Sequence, residues 1–549
     1  MKSKVLTILS VFIIFSMLFA ACTTAEPAPQ EPAAEEEEME AGDEEEMEAE
    51  ELEEEEVEEM EEEEAMEPRI LRIRLYGDIQ NLDPAFRISE NDEVVSNAVM
   101  NGLVRYCPNS YDLCNQLAEE FEQSEDGLEI RFKLKEGVMF HNGYGELTAE
   151  DVKYSYERFI DPDVNADYAD DWATLDYVEV IDKYNGVIHL TEPYAPLWNS
   201  TMPVNSGNIV SKKFVEEVGL EGFATNIIGT GPYMFQEWKP QEMVILTKNP
   251  DYFGPEPYWD EIHLIPIEDD KAGEVALEAG DIDFGLVSMA AIERFEDNPD
   301  FKVWSKPSLR YSWVGMNVQH PKLEDPNVRW AVIYGIDVDS IIQAAYLGKV
   351  ERECALIPPG LTGYWEDAPC HKRDVEKAKE YLEKANVDSL ELRLDIQDTS
   401  EDRIWGEIIQ QNLADVGIDV EINPMDSSTF WTTTFGEQAV ENNELHIGGY
   451  SMQNDPAWAT MWFTCDQIGV WNAYSWCDED YDALHKQAMI TLDSEKRDDL
   501  YIEMQQRWDQ AAHSKFVTHG VRVYGYSPAI DPATTPNGKP QVEFFQPAE

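Results

Sequence analysis

From Ile70 the chain alternates: Leu71, Ile73 and Leu75 fall on one side and Ile70, Arg72 and Arg74 on the other. A period of two predicts a strand there, and Leu128–Leu134 repeats the pattern ahead of a turn at Gly137. Thr148-Ala-Glu-Asp151 has the form of a capping box, opening a helix over Val152–Phe159. Val178–Asp182 and Val187–Leu190 flank Asn185-Gly186, a pair that predicts a hairpin. Apolar residues at helical spacing then cover Val328–Leu347, Val375–Ala385 and Ile404–Val416, and a last helix is expected over Lys496–Ala511. Strands and helices alternate without a short repeat, so the fold class is mixed α/β.

The first 68 residues follow other rules. Lys2 and Lys4 precede an apolar run, Val5–Phe19, that is too short for a membrane span of about 20 residues. A basic start, an apolar centre and small residues before Cys22 mark residues 1–21 as a secretory signal. Phe19-Ala-Ala-Cys22 resembles the bacterial lipobox, with Phe where Leu is usual, and predicts lipidation of Cys22 and a lipid anchor to the membrane. Residues 26–67 hold 24 Glu and Asp43 and no Lys or Arg. Like charges four apart repel on a helix and the few scattered apolar residues cannot pack, so 22–68 is expected to be a disordered, extended acidic tether.

Charge and cysteines narrow the function further. With 112 acidic against 40 basic residues the formal charge is −72, which excludes a basic footprint for nucleic acid. Six cysteines follow Cys22 and allow 15 pairings. Sequence order in an oxidising compartment favours Cys107 with Cys114, Cys354 with Cys370 and Cys465 with Cys477; free buried thiols are the alternative.

Catalytic constellations are not evident. Nine histidines are scattered without zinc-ligand spacing. Gly229-Thr-Gly-Pro-Tyr233 lacks the Lys-Ser/Thr of a phosphate loop, and Gly449-Tyr-Ser451-Met-Gln453 lacks the second glycine of a nucleophile elbow. Asp161, Asp163, Asn165 and Asp167 are spaced like a calcium loop, but Ala166 and Trp172 occupy the required glycine and glutamate positions. No metal, cofactor or enzymatic activity is therefore expected. What stands out is aromatic: among 15 Trp and 24 Tyr, Tyr311, Trp313, Tyr450, Trp458 and Trp471 lie in polar settings where aromatic rings line ligand pockets.

A series of motifs in order carries a resemblance. They include Asn81-Leu-Asp-Pro84, Lys135-Glu-Gly-Val-Met-Phe-His-Asn-Gly143, Thr148–Tyr154, Gly229–Tyr233, Asn249-Pro-Asp-Tyr252, Gly280-Asp-Ile-Asp283 and Val328–Asp337. From about Leu71 to Val523 the chain resembles the extracytoplasmic solute-binding proteins of peptide-type ABC importers. The resemblance implies a two-lobed, periplasmic-binding-protein-like (class II) fold with an extra third domain. Domain I would be 69–105, 226–305 and 512–549, domain II 106–225 and domain III 306–511, with Gly229–Tyr233 on the hinge side. It further implies a monomer that captures a di- or oligopeptide between lobes outside the cytoplasm and passes it to a membrane permease. A non-peptide solute such as an oligosaccharide or metal complex is the alternative cargo, and a secreted hydrolase using the cleft is the alternative of another class.

The implied ligand contacts are Tyr311, Trp313, Tyr450, Ser451, Gln453, Asp455 and Trp458. In peptide-binding members a Gly-Trp-x-x-Asp run supplies a carboxylate for the peptide ammonium. Here Gln453 stands at that place, and Asp455 reaches it only if the loop slips. An ammonium buried without its carboxylate costs ~3–5 kcal/mol, which keeps neutral cargo open.

Overall fold

A computed structural model describes residues 67–86 and 89–548. The expected signal segment, the lipidation site Cys22 and the acidic tether up to residue 66 lie outside the described residues. The described residues form one compact unit.

A seven-stranded sheet organises the first lobe. Its spatial order is Tyr233–Lys239, Met243–Lys248, Glu261–Pro266, Ile70–Leu75, Phe284–Leu286, Val521–Tyr526 and Lys302–Pro307. Leu71, Ile73 and Leu75 are buried as the alternation requires. Arg74, on the other side, is buried too, because its guanidinium donates to Ile267 O and Leu286 O and pairs with Asp270. An antiparallel four-stranded sheet lies in the segment between, ordered Ala118–Gln123, Glu129–Leu134, Asn185–Leu190, Leu175–Val180. The helix Ala149–Ile160 starts at the expected capping box, with Thr148 N and Oγ1 both donating to Asp151 Oδ2 at 3.0 Å.

The hairpin turns earlier than expected. Asn185 and Gly186 are the first residues of the returning strand, and 181–184 make the turn. Asp182 accepts from the amides of Tyr184 and Asn185, which closes the turn, and the ring of Phe132 occupies the space a Gly186 side chain would take.

The second lobe holds a five-stranded sheet ordered Ile418–Met425, Leu390–Gln397, Leu445–Ser451, Arg310–Met316, Ser514–Thr518. One of its faces carries an aliphatic core with Val314, Met316, Leu394 and Ile409; the other carries an aromatic core with Tyr311, Trp313, Phe463, Tyr474 and Trp508. The single helix expected over 328–347 is two, Pro326–Gly335 and Val338–Tyr346. Ile336 is extended, and Asp337 restarts the helix by accepting from Ser340 N.

Two short segments join the large sheets: Ser308-Leu309 leads out of the first and His519-Gly520 leads back. They touch each other, Ser308 Oγ donating to His519 O at 3.1 Å. Lys302–Pro307 pairs within the first sheet and Ser514–Thr518 within the second. Gly229 and Gly231 lie just after the segment that carries the four-stranded sheet, where Gly229 N meets His141 Nδ1 at 3.3 Å. Both glycines pack against the main chain of Val99, with no room for a Cβ. All three cysteine pairs are bonded as sequence order suggests. On the chain-entropy argument each short loop adds ~2–3 kcal/mol.

Candidate ligand-binding site

The strand Leu445–Ser451 places the site. It pairs antiparallel with Arg310–Met316, setting Tyr450 opposite Tyr311 and Ser451 opposite Arg310 at the hinge end of the sheet. Side chains alternate along a strand, so Tyr311, Trp313 and Tyr450 share the aromatic face. Trp313 is fully buried beneath Tyr450, ring centroids 5.1 Å apart at 72°. Its indole N–H donates to His446 Nε2 at 3.2 Å, and burial holds that imidazole neutral with its pKa near 3.

Above this layer is a cavity of about 420 Å³ lined by Trp431, Tyr450, Ser451, Trp462 and Trp471. Trp431 stacks near-parallel to Tyr450 at 6.0 Å, and Trp462 meets Trp471 edge-on at 5.8 Å. Tyr450 Oη donates to Trp471 O at 2.5 Å, fixing the strand against the loop opposite. Burial pushes the Tyr450 phenol well above its usual range, so it stays protonated. The cavity is lined by ring faces and the hydroxyls of Tyr450 and Ser451, with no carboxylate. Such a box holds flat or apolar groups by area and stacking.

The seven expected contacts thus separate. Tyr450 and Ser451 line the cavity. Tyr311 and Trp313 have no exposed surface and support it from behind. Trp458 is partly exposed and adjoins it through Trp462, centroids 6.0 Å apart, and Gln453 is partly exposed on the following loop. Asp455 is fully buried and engaged: Oδ2 accepts from Arg497 Nη1 and Oδ1 from Arg497 Nη2, both at 2.7 Å. Ala457 N also donates to Oδ1 at 2.9 Å, and Asn199 Nδ2, from the first lobe, reaches Oδ2 at 3.3 Å. A slipped loop with Asp455 as the free anchor is not the arrangement present. Sequence reasoning passed over Trp431 and Trp462; Trp431 was signalled by its place in the polar run Ser427–Thr434, whereas Trp462 lies in the mostly apolar Ala459–Thr464 and carried no such signal.

Comparison with known proteins identifies the family and the fold. Residues 113–469 match the family described as bacterial extracellular solute-binding proteins, family 5 Middle. The chain belongs to this family. Di/tripeptide-binding protein 2 of Pseudomonas aeruginosa is 26% identical over 469 residues, covering 80% of this chain and 87% of that protein. The dipeptide-binding protein of Escherichia coli is 26% identical over 450 residues, covering 76% and 83%. Among solved structures, the periplasmic binding protein DppA from Helicobacter pylori in complex with peptide STSA superposes with a TM-score of 0.70 at 24% identity, covering 84% of this chain and 94% of that one. The substrate-binding protein CtaP from Listeria monocytogenes gives 0.79 at 22% identity, covering 87% and 99%. The two-lobed α/β fold is the family's. Among the described residues no helix is long and apolar enough to cross a membrane.

Proposed function

We propose that this protein is the cargo-capturing component of an ABC importer, held outside the cytoplasm by lipid on Cys22, binding a short peptide between its lobes and handing it to a membrane permease as a monomer. The observation that carries the reading is the aromatic cavity at the hinge end of the second sheet, in a family whose relatives are named for di- and tripeptides. Two lobes joined by two short segments are built to close around a guest by hinge motion. A receptor rather than an enzyme is the reading that the family's solute-binding character supports.

The test is titration of the purified protein with di- and tripeptides, followed by calorimetry and tryptophan fluorescence. Binding with a fluorescence change is expected, and Trp471→Ala should weaken it about tenfold, since burying an aromatic face is worth ~1–2 kcal/mol. Heat and fluorescence that stay flat across the peptide panel would refute peptide capture. Loss of Cys22→Ser protein from the membrane fraction is the matching check on the anchor.

A further inference from the structure

Trp471 closes the aromatic box at a steep angle to each of the other rings. It stands at 86° to Tyr450 with centroids 6.2 Å apart, at 70° to Trp462 at 5.8 Å, and at 66° to Trp431 at 6.4 Å. Rings set this way form a rounded corner, whereas a flat guest is held best on a face lying parallel to it. Trp471 is also the exposed wall, so the corner opens to solvent.

The charge around the corner is one-sided. No Lys or Arg occurs between Arg403 and Lys486, the stretch that supplies every lining residue. Asp426, Glu437 and Asp466 are exposed on the segments that carry Trp431, Trp462 and Trp471. Arg310, on the neighbouring strand, lies across Gly449 on the other face of the sheet, in electrostatic reach of Asp402. The faces of aromatic rings are themselves negative, so rings and surroundings both favour a cation. Yet the lining holds no carboxylate to pair with one, and of its two hydroxyls the Tyr450 proton is already given to Trp471 O. An ammonium bearing N–H groups would bury donors there without enough acceptors or a counter-charge, which is costly. A nitrogen carrying only alkyl groups strands no donor and turns methyl surface toward the rings.

We infer that the box is an aromatic cage for a quaternary ammonium group, a nitrogen with three methyls and a tether to the rest of the cargo. The rounded head seats in the corner made by Tyr450, Trp462 and Trp471, and its charge meets their π faces. A cavity of about 420 Å³ is larger than such a head fills and leaves room for the tether. The same chemistry reaches the protein from two sources, a free small cation or a trimethylated lysine within a peptide. The inference goes beyond the peptide reading, because it names the group in the box and not the chain that carries it. It also separates this cation from two competitors of similar size: a primary ammonium lacks acceptors in the cage, and a neutral branched alkyl group lacks the charge that the rings attract.

Calorimetry and tryptophan fluorescence on the purified protein at fixed ionic strength test this with choline, its neutral isostere 3,3-dimethylbutanol and ammonium chloride. Two tripeptides, alanine-flanked and carrying lysine or trimethyllysine at the centre, complete the set. Choline should bind about tenfold tighter than the isostere, ammonium should not displace it, and the trimethyllysine tripeptide should exceed the lysine one by a similar factor. Trp471→Leu keeps apolar area and removes the ring, so it should erase the preference for choline over the isostere, and Trp471→Phe should retain part of it. Circular dichroism checks that these exposed substitutions leave the fold intact. Choline bound with neither tripeptide upholds the cage and puts its cation on a free solute; the trimethyllysine tripeptide bound without choline upholds it on a peptide. Silence toward both trimethylated probes, affinities equal to those of the isostere and the lysine tripeptide, or a preference that survives Trp471→Leu overturns the cage. Tight, equal binding of the two tripeptides would do so while leaving peptide capture standing.

Discussion

Two buried aspartates show how little an acidic side chain reveals until its neighbours are known. Asp455 is held by the Arg497 fork and by Ala457 N, and neither partner's side chain reaches more than 4% exposure. Asp171 is as deeply buried but meets only a hydroxyl, that of Ser206, and burial pushes its pKa up to about 7. The same change, Asp→Asn, should therefore act in opposite directions. Asp455→Asn strands a buried guanidinium and should cost ~3–5 kcal/mol in urea unfolding. Asp171→Asn removes an ionisation that the folded state resists. A raised folded pKa means the wild type loses stability as pH rises from the unfolded value near 4 to about 7. The variant should then gain on the order of 2–4 kcal/mol above pH 7 and nothing below pH 4. A gain independent of pH would contradict that cause. In the sequence the two residues look alike, since partners 42 and 35 positions away decide their roles.

Elements were legible wherever local chemistry sufficed. Ile70–Leu75 and the Thr148 box stand as the alternation and cap predict. Misreadings came where a tertiary contact outweighed a local signal. Asn185-Gly186 belongs to a strand because Phe132 needs the glycine's space, and the helix breaks at Ile336-Asp337 so that Asp337 can start another. The aromatic strand face was visible as composition, but which rings form the cavity and which support it depends on the loop bearing Trp462 and Trp471 folding back over Tyr450. The joining segments carry a prediction of their own. Gly520 sits at φ 69°, and a side chain there would meet Ser308 Oγ at 3.0 Å. Gly520→Ala should lower stability by about 1–2 kcal/mol, the cost of a left-handed non-glycine residue. An unchanged urea midpoint would mean that the crossing relaxes freely.

Across the whole molecule the acidic excess acts as a background field. Ion pairs such as Arg69–Asp260 at 2.8 Å offset little of a charge of −72. Like-charge repulsion at that density disfavours the compact state, and salt screens it over about 8–10 Å at physiological strength. The melting temperature at pH 7.5 should rise between 50 and 500 mM sodium chloride, the opposite of a protein held together by surface ion pairs. A falling melting temperature would show that those pairs outweigh the repulsion.

The amino-acid order by itself determined the α/β class and the order of disulfide pairing, because periodicity, caps and short loops are local, and the series of motifs carried the family's two-lobed plan. Tertiary structure alone decided that Asp455 serves Arg497 and that Trp431 and Trp462 complete a box. Those facts depend on groups brought together from distant parts of the chain, where burial and the presence or absence of a counter-charge set what a side chain can do.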